Sequence, residues 1–353
     1  MLPVMSLLIE ENVPLAPMTT LHIGGAARFF AEAQHEHELL EAFAFATERQ
    51  LPVFVLGGGS NVLIADDGFR GLVVRVALRG ITWNNDDDQT TVTANAGESW
   101  DNFVRQCVAR NLAGIECLSG IPGLVGGTPV QNVGAYGQEV SETIVAVRAY
   151  DRQANQVVTL DNTACGFRYR TSIFNTTEKD RYVVLAVTYA LKPNGEPTLR
   201  YPDVKNYFAG RTEWPSLAEV RQAVIEIRAR KGMVIQADDP DCRSAGSFFK
   251  NPILAAETLA KLEAAAKTKP PSFSAEPGKV KVPAAWLIEH AGFQKGYVKG
   301  RAGISSKHTL ALINRGNASA SDVLALVAEI QQQVNERFGV WLMPEPIFVG
   351  FNS

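Results

Sequence analysis

The chain reads as an α+β protein, on three observations. Helical spacing and strand-like alternation interleave through roughly the first 210 residues, as two adjacent α+β lobes would require. A glycine run that ends an early strand is followed by more strand-like sequence, not by a helix. The last third is richer in helix, as a third lobe.

Taken in order, EHELLEAFAFATERQ (36–50) spaces its apolar residues as a helix does, and PVFVLG after it is a short β-rich run. The run ends in GGGSN (57–61). A Rossmann unit needs a helix at that point, because the helix N-terminus holds the pyrophosphate. VLIADDGFRGLVVRV comes instead, two strand-like runs about a DDG turn, so the Rossmann reading fails on context. TVTANAG (91–97) reads as a strand and SWDNFVRQCVARNLAG (99–114) as an amphipathic helix, with Ser99 as N-cap and Gly114 as its stop. TIVAVRAYD, QVVTL and DRYVVLAVTYAL (180–191) are strand-like, and the pattern breaks at NGEPTLRYPDVKNYFAG (194–210), a candidate boundary. SLAEVRQAVIEIRARK (216–231) is a helix with Leu217, Val220, Val224 and Ile227 on one face. LAAETLAKLEAAAK and SASDVLALVAEIQQQVNERFG (319–339) are further helices, the second with Ser319 or Ser321 as cap and Gly339 as stop. TKPPSFSAEPGKVKVP (268–283) reads as an exposed Pro-rich loop, and no fixed period suggests a solenoid.

Composition narrows the function. With 46% hydrophobic and 20% charged residues the chain is an ordinary globular one, and a net charge of −3 with dispersed basic residues offers no docking surface to nucleic acid or an anionic membrane. The opening MLPVMSLLIEENVPLAP lacks a positive n-region, which argues against a signal peptide, and no apolar stretch reaches the ~18 residues of a membrane span. Cys107, Cys117, Cys165 and Cys242 show no CxxC spacing and read as core positions in a reducing compartment, so a cytoplasmic location is expected. His22, His35, His37, His290 and His308 form no ligand constellation, and no metal is expected.

Four stretches could carry chemistry. GGGSN and the longer GIECLSGIPGLVGGTPVQNVGAYGQEV (114–140) are glycine-rich loops whose bare N–H groups can cradle a diphosphate, with Ser60, Asn61, Thr128, Gln131 and Asn132 as neutral donors. The second loop interleaves Ile121, Leu124, Val125, Val130 and Val133, so it is packed and not a linker. In CGFRYRTSIF (165–174), Arg168 and Arg170 share one face if the segment is extended, either as a charged strand edge or as a carboxylate clamp. Glu345 lies between two prolines in PEPIFVG, where a turn role is the simpler alternative. In SAGSFFKNP (244–252), Ser247 has no nearby histidine to make it a nucleophile.

Together these stretches resemble the UDP-N-acetylenolpyruvoylglucosamine reductases, flavoenzymes of peptidoglycan precursor synthesis. The likeness is collinear over nearly the whole chain: TTLHIGGAARFF, LGGGSNVLI, GIPGLVGGTPVQNVGAYG, FRYRTSIF, RARK, AGSFFKNP, AAWLIEHAGF and PEPIFVG. It implies a vanillyl-alcohol-oxidase-like (PCMH-like) FAD fold: an FAD lobe at 1–76 joined by a C-terminal strand at about 340–353, a second FAD lobe at 77–212, and a substrate lobe at 213–339. It also implies non-covalent FAD reduced by NADPH, and a monomer acting on UDP-N-acetylglucosamine enolpyruvate. By the same resemblance, Ser247 is the proton donor and Arg170 and Glu345 attend the developing charge. FAD contacts fall on Gly57, Gly58, Gly59, Ser60, Asn61, Ile121, Pro122, Gly123, Gly127, Thr128, Gln131, Asn132, Gly134, Ala135 and Arg228, and substrate contacts on Tyr201, Lys231 and Asn251. Two rivals are an FAD oxidase of the same fold and a nucleotide-sugar-binding regulator without turnover. Ser247, Lys231 and Glu345 argue against the first, and the intact set Arg170, Ser247 and Glu345 against the second.

Overall fold

The computed structural model of the chain describes residues 7–85, 89–236, 238–275 and 277–351; the first six residues of the N-terminal apolar run lie outside the described residues. The chain divides into two compact units. One comprises Met1–Val13, Arg28–Gly58 and Arg70–Val234, and the other Pro14–Ala27, Gly59–Phe69 and Ile235–Ser353.

The first unit rests on two sheets. An antiparallel sheet runs in the order Gln156–Asp161, Ile144–Asp151, Tyr182–Pro193, Thr90–Asn95, Ile81–Asn85, with Leu112–Ala113 pairing to the long strand. The run VVLAV in that strand is buried throughout, whereas TTVTAN alternates buried and half-buried positions as one covered face dictates. The other sheet orders Ile9–Pro14, Ala26–Ala33, Phe69–Val76 and Val53–Leu56, the last two parallel. Helices Glu36–Glu48 and Trp100–Ala109 lay Leu39, Phe43, Trp100, Phe103 and Cys107 into one core with these strands.

The helix that begins at Trp100 stops earlier than the glycine pattern suggests. Asn111 takes a φ of 57°, the left-handed conformation that asparagine tolerates, and Gly114 serves the next turn, where its N–H donates to Glu116. Ser99 precedes this helix, but its hydroxyl accepts no capping bond. Helix Leu217–Arg230 behaves as read: Ser216 and Glu219 form a reciprocal capping box, and Val220, Val224 and Ile227 pack with Cys117, Tyr136 and Val204.

In the second unit an antiparallel sheet orders Ser244–Ser247, Ala311–Asn314, Ala302–Ile304 and Val298–Lys299. It shares a core with helices Ala256–Ala266, Ala284–His290 and Ala320–Phe338. Ser319, not Ser321, caps the last helix, in a box with Asp322, and Gly339 ends it at φ 66°. The C-terminal strand Ile347–Val349 runs parallel to Val62–Ile64. The Pro-rich loop is a correction: Lys279–Lys281 is a strand that pairs with Ile253–Ala255 on one side and with Phe273–Ser274 on the other. Pro270 and Pro271 precede the strands, Pro277 lies between them and Pro283 follows them, so none removes a ladder bond.

Three of the four cysteines are buried, and burial pushes the Cys107 and Cys165 thiols up to about 12, out of the reactive range. Cys242 departs from the core expectation, being only half-buried. Among the described residues no helix is long and apolar enough to cross a membrane, and no His, Cys, Asp or Glu group could hold a metal ion.

One ion pair fixes the end of the strand Ile144–Asp151 in a pH-dependent way. Asp151, with its side chain 3% exposed, accepts from Arg181 Nε and Nη2 and from the N–H groups of Gln153 and Ala154. The Arg181 bonds first, then these backbone bonds, hold its carboxyl down to about 2. A lowered folded-state value gives stability that is complete above the ordinary 3.8 and is lost as pH falls through about 2. The urea midpoint of Asp151→Asn should therefore lie below that of the wild type at neutral pH, and the two should converge through this acid window.

Candidate active site

In the first unit the two glycine loops meet backbone to backbone. A Cβ on Gly58 would fall 2.6 Å from Gly123 Cα and 3.2 Å from Leu124 N, so no side chain fits between them. Gly57 and Gly127 have no heavy atom within 4 Å of a Cβ position, which leaves open surface on each loop. Several of the expected side-chain donors are spent on holding the loop. Thr128 Oγ1 bonds Val125 O at 2.8 Å and the Tyr189 hydroxyl at 2.7 Å. Asn132, 1% exposed, gives its amide to Glu139 and Arg168 O and accepts from the Ser141 N–H.

Arg228 lies alongside. It is 7% exposed, its Nη2 donates to Met233 O at 2.8 Å, and among the described residues its Nε has no hydrogen-bond partner. A Cβ on Gly120 would lie 3.5 Å from Arg228 Cδ and Nε. Burial pulls the guanidinium below its ordinary value, while the neighbouring Tyr136 phenol is pushed up to about 12 by the same cause. A buried cation with a spare donor, in the same unit as glycine loops that leave open surface at Gly57 and Gly127, fits a diphosphate and hence FAD.

Arg170 is not on an extended strand. It takes φ 56° in a tight turn where Arg168 and Thr171 exchange both backbone bonds, so the two arginines do not share a strand face. A left-handed non-glycine residue costs about 1–2 kcal/mol, here offset by Asn175, whose amide donates to Arg170 O. Arg170 Nη2 reaches Gly134 O at 2.6 Å, so this arginine is tied to the second loop. The same unit joins Tyr201, Tyr136 and Lys231. Tyr201 meets Tyr136 edge-on at 5.3 Å, and Lys231 Nζ, 5.7 Å from the Tyr136 ring centre, pairs with Asp203 at 2.6 Å. Tyr136 was not among the residues singled out from the sequence; its place between Gly134 and Gly137 was the available signal.

The second unit gathers the remainder. Ser247 ends its strand after Gly246 at φ 71°, and the buried Phe248 and Phe249 anchor the chain just beyond it. Lys250 N–H donates to Met343 O, and Glu345 N–H to Phe248 O at 2.8 Å, so the backbones of Ser247 and Glu345 lie next to each other. Asn61 Nδ2 donates to Glu345 O at 3.3 Å and Asn61 O accepts from Ile347 N–H, which brings the end of the first glycine run to the same place. Asn251 Oδ1 accepts from Ala284 N–H at the start of helix Ala284–His290.

Residues 27–160 match the FAD binding domain family, and residues 238–349 match the UDP-N-acetylenolpyruvoylglucosamine reductase C-terminal domain family. Fold, loops and buried cation together define an FAD-dependent oxidoreductase. Proteins named UDP-N-acetylenolpyruvoylglucosamine reductase from Thermobifida fusca and Salinispora arenicola are 45% and 46% identical to this chain, each over 96% of it and over 98% and 95% of their own lengths. The crystal structure of the Thermus caldophilus reductase aligns with a TM-score of 0.65 at 26% identity, covering 97% of this chain and 99% of that one. The chain belongs to the UDP-N-acetylenolpyruvoylglucosamine reductase family.

Gly58→Ala should purify with markedly less flavin, since the added methyl forces Gly123 away. The ratio of flavin to protein absorbance, with far-ultraviolet circular dichroism to confirm folding, measures this.

Proposed function

We propose that Ser247 is the proton donor of this family's reaction and that Arg170 and Glu345 stabilise the charge that precedes protonation. The reaction is the FAD-dependent reduction of UDP-N-acetylglucosamine enolpyruvate to UDP-N-acetylmuramate, in peptidoglycan precursor synthesis. FAD, when bound and reduced by NADPH, supplies the hydride for the enolpyruvyl methylene.

Addition at the methylene leaves negative charge on the adjacent carbon, conjugated with the substrate carboxylate. That species is a strong base, so a serine hydroxyl within hydrogen-bond reach is acidic enough to protonate it without a histidine. The observation that carries this reading is the state of the Ser247 hydroxyl. Among the described residues its Oγ forms no hydrogen bond, whereas the local backbone is served by Ser244, whose Oγ accepts from Gly246 N–H. A turn hydroxyl that merely satisfied its own backbone would be bonded. Arg170 would face the enediolate as a fixed cation and Glu345 would orient it.

The cofactor contacts in this reading are Gly57 to Asn61, Ile121, Pro122, Gly123, Gly127, Thr128, Gln131, Asn132, Gly134, Ala135 and Arg228. Tyr201, Lys231 and Asn251 hold the substrate, with Lys231 exchanging Asp203 for a diphosphate oxygen. The reading also includes the three-lobe division at 1–76 (joined by a C-terminal strand at about 340–353), 77–212 and 213–339, a cytoplasmic monomer, and NADPH as the reductant.

Ser247→Ala should leave flavin reduction by NADPH intact and slow reoxidation by the enolpyruvyl substrate by about 10²–10⁴-fold in single-turnover stopped flow. Unimpaired reoxidation would remove Ser247 from the proton step.

A further inference from the structure

Asp101 is the second residue of the helix Trp100–Ala109, and this helix start grips the second glycine loop at three points. Trp100 Nε1 donates to Leu118 O at 3.0 Å, Asp101 Oδ1 accepts from Gly120 N–H at 2.6 Å, and Trp100 N–H donates to Gly123 O at 3.1 Å. Gly123 is the residue that Gly58 abuts. The Asp101 carboxylate is in turn clamped by Arg221, Nη1 to Oδ1 at 2.6 Å and Nη2 to Oδ2 at 2.8 Å, and the Arg221 side chain is only 12% exposed. Arg221 and Arg228 are seven residues apart on one helix, about two turns, so they lie on the same face.

We infer that Asp101 is a positioning residue for the flavin, holding the Gly120 end of the glycine loop against the helix that carries Arg228. The inference rests on the FAD reading above. Both links are needed: the bond to Gly120 N–H places the loop, and the fork from Arg221 places the helix. Asp101 is the atom group common to both. It also provides a negative charge near an arginine that has no carboxylate bonded to it, a cation that is otherwise expensive to bury. Burial alone would raise the Asp101 carboxyl, but the bonds from Arg221 and Gly120 outweigh it and hold the group ionised.

An ordinary structural ion pair would stabilise the unit without touching flavin affinity, and Asp151–Arg181 is such a pair in the same unit. The experiment dilutes holoprotein and follows released FAD by its fluorescence, in wild type, Asp101→Asn, Arg221→Gln and Asp151→Asn, with urea midpoints measured on each. Loss of a charge-assisted bond at Asp101 should raise the FAD dissociation constant about tenfold or more, and Arg221→Gln should raise it too. Asp151→Asn should stay within about twofold, whatever its loss of stability. Affinity unchanged in Asp101→Asn despite a lowered urea midpoint overturns the inference. If that variant does not fold, unchanged affinity in Arg221→Gln overturns it instead. A wild type that holds no FAD would overturn the flavin reading itself, and the inference with it.

Discussion

The contact on which the candidate site depends is the one between Gly58 and Gly123, where two loops far apart in sequence approach until no side chain fits between them. Two elements of the first unit bring these backbones together. The strand Val53–Leu56 delivers the first loop, pinned by its parallel pairing with Phe69–Val76. Trp100, packed with Phe103 and Tyr189 in the core, holds the second. The side chains of Thr128 and Asn132 are consumed in shaping the loop, and in the proposed site the buried Arg228 is the cation left with a spare donor for an anion.

Much of the fold was legible because its elements obey local rules. Helices Leu217–Arg230 and Ala320–Phe338 carry a cap, an apolar stripe and, in the second, a terminal glycine, and each appears within a residue or two of where those signals put it. Misreadings arose where one residue type can do another's work. Asn111 supplied the left-handed turn assigned to Gly114, and Phe273–Ser274 and Lys279–Lys281 can pair within 268–283 because its prolines lie outside these two strands.

The candidate site was legible as a list of motifs but not as geometry. Period-two spacing of Arg168 and Arg170 suggested a shared face, but a left-handed residue at Arg170 breaks the period, and nothing in RYR marks it. Asp101 and Arg221 gave no signal at all: each reads as a solvated charge on an amphipathic helix, and only the crossing of the two helices makes them a clamp. The adjacency of Ser247 and Glu345 is likewise tertiary, since about a hundred residues separate two segments that exchange backbone bonds.

The measurement that bears most directly on the central claim is an anaerobic visible spectrum of the purified protein, with NADPH added first and UDP-N-acetylglucosamine enolpyruvate second. The account predicts yellow flavin bands that bleach with NADPH and return with the enolpyruvyl sugar. Bands that return only when oxygen is admitted, or no flavin bands at all, would contradict it.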